Sequence, residues 1–94
     1  MSREIDAKIH KALGREISPG WLDLVPHYST DIAAAFEVVE VMRERGFRYV
    51  IDHASQGDAY VVFGHADTRS GKAWDASVPT GICLAALKAL GVEP

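Results

Sequence analysis

Three features of the chain predict a small α+β fold. Two runs, 31–45 and 79–90, carry apolar residues at helical spacing. Between them, residues 47–63 alternate in the two-residue rhythm of strands. The whole is 94 residues long, enough for one hydrophobic core and too short for a second, so 1–94 reads as a single domain. The expected order is α-α-β-β-(β)-α, with two to three helices packed on a small antiparallel sheet of about three strands.

The first helix is expected from Ser2 to Leu13, with Ser2 as cap and Glu4 and Asp6 in the first turn, where the helix dipole favours acids. Ile5, Ile9, Ala12 and Leu13 share a face, and Gly14 is placed to end the helix. Periodicity then stops. Pro19-Gly20 signals a turn, Pro26 biases Val25 toward extended backbone, and Trp21, Leu22, Leu24 and Val25 read as an irregular cover over the core.

The second helix is the clearest element. Ser29 or Thr30 can cap it, Asp31 follows in the first turn, and Gly46 stands at the stop. Ile32, Ala35, Phe36, Val39 and Met42 form one apolar stripe, and Ala34, Val38 and Val41 a second. So wide an apolar arc predicts cover from more than one side. Phe36 is expected in the core, where truncation to alanine costs about 3 to 5 kcal/mol.

A hairpin follows. Phe47, Tyr49 and Ile51 alternate with Arg48, Val50 and Asp52, Gln56-Gly57-Asp58 turn the chain, and Tyr60 to Phe63 return it. Two strands alone are marginal, so a third is expected around residues 73–76, with Trp74 as its core anchor and a polar loop from Gly64 to Lys72 before it. The last helix starts at Pro79 after Ser77 or Val78 and closes at Gly91. Its only charge is Lys88, which predicts burial on several sides.

Thirteen acidic and ten basic side chains leave a net charge of −3, which argues against general nucleic-acid binding, since that affinity rests on Lys and Arg neutralising phosphates. The single cysteine, Cys83, lies in an apolar run and reads as a buried, inert thiol. No run approaches the roughly 20 apolar residues of a membrane span, and the start has no apolar signal-peptide core. The expected compartment is the cytoplasm.

Chemistry-bearing motifs are scarce. Histidines 10, 27, 53 and 65 have no metal-site spacing, although His53 with Asp52 and His65 with Asp67 are near the hairpin ends. There is no phosphate-binding glycine loop and no nucleophile elbow, so no catalytic residue, cofactor or metal is assigned and the chain is read as non-enzymatic. The binding candidates are His27, Tyr28, Ser29 and Thr30, beside a helix start whose free N–H groups attract anions, together with Arg69 and Trp74, where an indole can stack on a planar ligand beside basic groups. The structural alternative is that Ser29 or Thr30 only caps the helix while Tyr28 and Trp74 pack on the core.

The run Val25-Pro26-His27-Tyr28-Ser29-Thr30-Asp31-Ile32-Ala33-Ala34-Ala35-Phe36-Glu37-Val38-Val39-Glu40 resembles the signature of the phage ABA-sandwich family. That signature usually has tryptophan where Phe36 stands. The ending from Pro79 to Leu90 resembles the family's last helix, with Ser77-Val78-Pro79 in place of the usual threonine-alanine-proline step. The resemblance covers nearly the whole chain. It implies an α-β-α sandwich-like fold and a phage or prophage gene expressed in a bacterial host's cytoplasm. It implies no activity, because the family is one of unknown function.

The function expected is that of an accessory protein that binds a host or phage protein through surplus apolar helix surface, which could equally join copies of the chain into a homo-oligomer. A patch over Val38, Val41 and the last helix would carry it. The alternative is a binder of a small anionic, nucleotide-type ligand, and a small hydrolase ranks last.

Overall fold

The computed structural model describes residues 2–14, 26–53, 57–65 and 70–92. Its elements are α1 (Ser2–Ala12), α2 (Ile32–Glu44), β1 (Phe47–His53), β2 (Ala59–His65), β3 (Ser70–Asp75) and α3 (Val78–Ala89). The α-α-β-β-β-α order and the antiparallel sheet are those the sequence predicts. The apolar cover expected at Trp21 to Val25 lies outside the described residues.

The three strands form a sheet in the order β1-β2-β3. Tyr49 faces Phe63, Val50 faces Val62, and Tyr60 faces Trp74. Residues directly opposite in such a ladder share a face. Phe47, Ile51, Val61, Phe63, Gly71 and Ala73 therefore line the inner face, and Arg48, Val50, Asp52, Tyr60, Val62, Lys72 and Trp74 the outer one. Val61 and Phe63 are fully buried. The third strand begins at Ser70, and β2 runs on through Gly64 and His65. The polar loop is thus shorter at both ends than the glycine and charge content suggested, because the ladder to β2 recruits those residues.

Helices α2 and α3 pack on the inner face, α3 over β2 and β3 and α2 over β1, while α1 packs on α3. Gly71 makes the α3 approach possible. A Cβ there would run into the backbone of Ala85 and Ala89. The alanine-rich helix presses its own backbone close to the strand, and seven of the twelve residues of α3 are buried. Its Lys88 Nζ donates to the Lys72 carbonyl on β3 at 3.0 Å.

Several expectations are corrected. The cap of α2 is Asp31, whose carboxylate accepts the Ala33 N–H at 3.0 Å, and neither Ser29 nor Thr30 takes that place. Those two residues belong to the preceding turn, in which the Thr30 and Asp31 N–H groups donate to the His27 carbonyl. On α2 the covered arc is Ala34, Ala35, Val38, Val39 and Met42. Ile32 and Phe36 lie beyond that arc and remain 46% and 42% exposed, so Phe36 is not a core residue. Trp74 is 64% exposed on the outer face, since strand alternation gives the inward place to Ala73. Finally, Val38 is buried, Val41 is half-buried and only Lys88 of α3 is exposed, so among the described residues no exposed apolar patch joins Val38, Val41 and the last helix.

Candidate functional site

The residues singled out for binding divide between two places. The first is the corner where the starts of α2 and α3 meet the side of α1. Pro26 carries the chain into the turn before α2, and Tyr28 and Ser29 are fully buried in it. The Tyr28 hydroxyl is hydrogen-bonded to His10 Nδ1 at 3.0 Å, and the rings lie 6.0 Å apart. The Ser29 N–H donates to the buried Asp6 carboxylate at 2.8 Å, and its carbonyl accepts from Thr80 Oγ1, also at 2.8 Å. Through Ser29, then, the first helix is tied to the last.

This corner leaves little room for a ligand. Tyr28 and Ser29 are inside, while His27 and Thr30 are exposed above them. An anion approaching the start of α2 would meet the Asp31 carboxylate already seated on its N–H groups. Cys83 shares the interior. Burial, and after it the Asp6 charge, push its thiol up to about 12, so it stays protonated at neutral pH. A protonated, buried thiol is a poor nucleophile.

The second place is the outer face of the sheet. Trp74 and Tyr60 stand opposite one another with ring centroids 4.2 Å apart and planes 33° from parallel. Strand alternation puts Lys72 and Val62 on the same face, with Arg48, Val50 and Asp52 one strand further. Val50 is 57% exposed. Among the described residues, no helix covers this face. Arg69, expected to act with Trp74, lies outside the described residues. The structure therefore brings Trp74 together with Tyr60 and Lys72, and keeps it apart from Tyr28.

His53 and His65 stand at opposite ends of the hairpin, paired with Ala59 and Phe47. The His65 ring meets Phe47 edge-on, with centroids 5.0 Å apart. Asp67 lies outside the described residues. Among the described residues, no group of three or more His, Cys, Asp or Glu side chains converges as a metal site would require, and no helix is long and apolar enough to cross a membrane.

Two participants were missed in the sequence. Asp6 was read only as a dipole-favoured acid, yet positions 6, 9 and 13 share one helix face, and Ile9 and Leu13 are core. Tyr60 was read only as a strand former. The alternation that sends Val61 and Ala73 inward places Tyr60 and Trp74 together outside.

Three helices on an antiparallel three-stranded sheet, one face of which carries the Tyr60–Trp74 pair, define a small α+β domain. The chain belongs to the phage ABA sandwich domain family, whose model matches residues 5–87. It is similar in fold to the 2.0 Å crystal structure of a phage protein from Bacillus cereus ATCC 14579, with a TM-score of 0.82 at 21% identity over 100% of this chain and 91% of that one. No curated protein matches it.

Proposed function

We propose that this chain is a non-enzymatic accessory protein of a phage or prophage, working in the bacterial cytoplasm by binding a protein partner through the outer face of its sheet. The observation that carries this reading is the Trp74–Tyr60 pair. A 64% exposed tryptophan stacked on a tyrosine, with Val62 and Val50 beside it, is costly to leave in water and is the residue chemistry enriched at interface centres. Arg48, Asp52 and Lys72 supply a polar rim of both signs.

The test is binding of an isolated partner, identified by cross-linking through a photoreactive group at Val62. Wild type and Trp74→Ala are then compared by calorimetry. Loss of at least tenfold in affinity, with an unchanged melting curve, supports the reading. Equal affinity removes the outer face from it.

A second reading rests on the same face. Trp74 and Lys72 are two residues apart on one strand and share its outer side, which suits a planar anionic ligand such as a nucleotide. Native mass spectrometry of protein purified from a bacterial host discriminates the two. A retained nucleotide-sized mass that Trp74→Ala releases favours the ligand, and a clean protein mass favours the partner.

A further inference from the structure

We propose that the outer edge of β1 pairs antiparallel with β1 of a second copy of this chain, in a register centred on Val50. The two edges of the sheet are not equivalent. Along β3, Lys88 reaches round from α3 and donates to the Lys72 carbonyl, so that edge carries a lysine, a common guard against strand addition. Among the described residues β1 has a strand neighbour on one side only, which leaves a seven-residue edge.

The sequence of that edge is complementary to itself. In a two-fold pairing centred on Val50, residues equidistant from it face one another. Arg48 then meets Asp52 of the partner subunit and Asp52 meets the partner's Arg48. Tyr49 meets Ile51 twice, and Val50 meets its own copy. Opposite charges and apolar pairs directly across a ladder stabilise it, and like charges oppose it. Centring on Arg48 or on Asp52 would set like charges together, and centring on Tyr49 or on Ile51 would leave Arg48 or Asp52 opposite Val50, so the Val50 register is the one that pairs both charges.

That register also keeps the inner faces of the two sheets continuous, because directly opposite residues share a face. Both copies of α2, which lies over β1, then stand on the same side of a six-stranded sheet. Of the five large hydrophobics exposed among the described residues, four belong to this region: Ile32 and Phe36 on α2, and Tyr49 and Val50 on β1. One two-fold contact accounts for their clustering. The fifth, Trp74, is on the far edge strand and stays available for the partner proposed above.

The test is the dimer dissociation constant of the full chain by sedimentation equilibrium, for wild type, Arg48→Asp, Asp52→Arg and the double swap. Each single swap places like charges opposite one another at both symmetry-related positions. Dissociation constants about tenfold or more higher are expected, and the double swap should return to near the wild-type value. Circular dichroism melts check that all four fold. A wild type monomeric at all concentrations overturns the proposal, as does a dimer indifferent to the single swaps or not restored by the double one. Should a variant not fold, hydrogen exchange on wild type decides. Protection of β1 amides must rise with protein concentration, and concentration-independent exchange there overturns the pairing.

Discussion

Asp6 on α1 accepts the Ser29 backbone N–H at 2.8 Å, across 23 residues of chain, with both residues fully buried. A carboxylate spent on a buried main-chain donor fixes the turn before α2 against the first helix. Removing it leaves that N–H without its acceptor in a place water does not reach. Asp6→Ala should therefore cost about 1 to 3 kcal/mol in urea unfolding, and more than Asp31→Ala, whose exposed cap contributes about 1 kcal/mol. A smaller loss at Asp6 than at Asp31 would mean that the turn holds without it.

Gly71 allows the backbone of α3 to sit against β3. Adding one methyl by Gly71→Ala pushes on the backbone of Ala85 and Ala89, which cannot rotate away as a side chain would. Overpacking of this kind costs about 1 to 3 kcal/mol. Gly64→Ala is the control, since a Cβ there meets nothing within 4 Å. Thermal melts of the two variants should differ clearly, and equal melting points would show that α3 can shift outward.

Phe36→Ala should be mild. At 42% exposure the ring loses only part of its contacts on truncation, and about 1 kcal/mol is expected, with Phe63→Ala at about 3 to 5 kcal/mol as the buried comparison. The measurement is urea denaturation at low protein concentration. A Phe36→Ala loss matching that of Phe63→Ala would return Phe36 to the core.

Cys83 predicts a pH dependence. Its thiol is raised from 9.0 to about 12 by burial and then by the Asp6 charge, so the folded chain keeps a proton that the unfolded chain releases above pH 9.0. The associated stability is fully present below pH 9.0 and is lost as pH rises toward 12. Relative to Cys83→Ala, wild type should lose up to about 1.4 kcal/mol per pH unit in that window. Denaturant titrations of both proteins at a series of pH values check the slope. A constant difference between them would mean that the thiol is not raised.

Much of the fold was legible in the sequence because long helices and alternating strands write their burial into their periodicity. The stripe of α2 and the alternation of Tyr60 to Phe63 both led to the right elements. Periodicity does not say where cover ends, however. Phe36 shares a stripe with Val39 and Met42, yet the sheet and α3 reach only as far as the latter two. Nor does it give the facing of a short strand. Ala73 and Trp74 could each have pointed inward, and the closeness of α3 at Gly71 leaves space there only for the small one. Of the candidate site, the sequence offers Trp74 as a core anchor first and as a ligand-stacking ring second, and its partner Tyr60 becomes visible only once the register of β2 on β3 is known.

The bond from Thr80 to Ser29 spans 51 residues, and α1 rests on α3. The consequence is one of timing. During synthesis the first helix emerges early but waits for its helical neighbour, because it packs on a helix more than sixty residues downstream. A short isolated helix is marginal in water, so α1 should coil and uncoil on the ribosome until α3 follows it out. Contacts so distant along the chain slow folding, and here they postpone its last step until nearly the whole domain has been made.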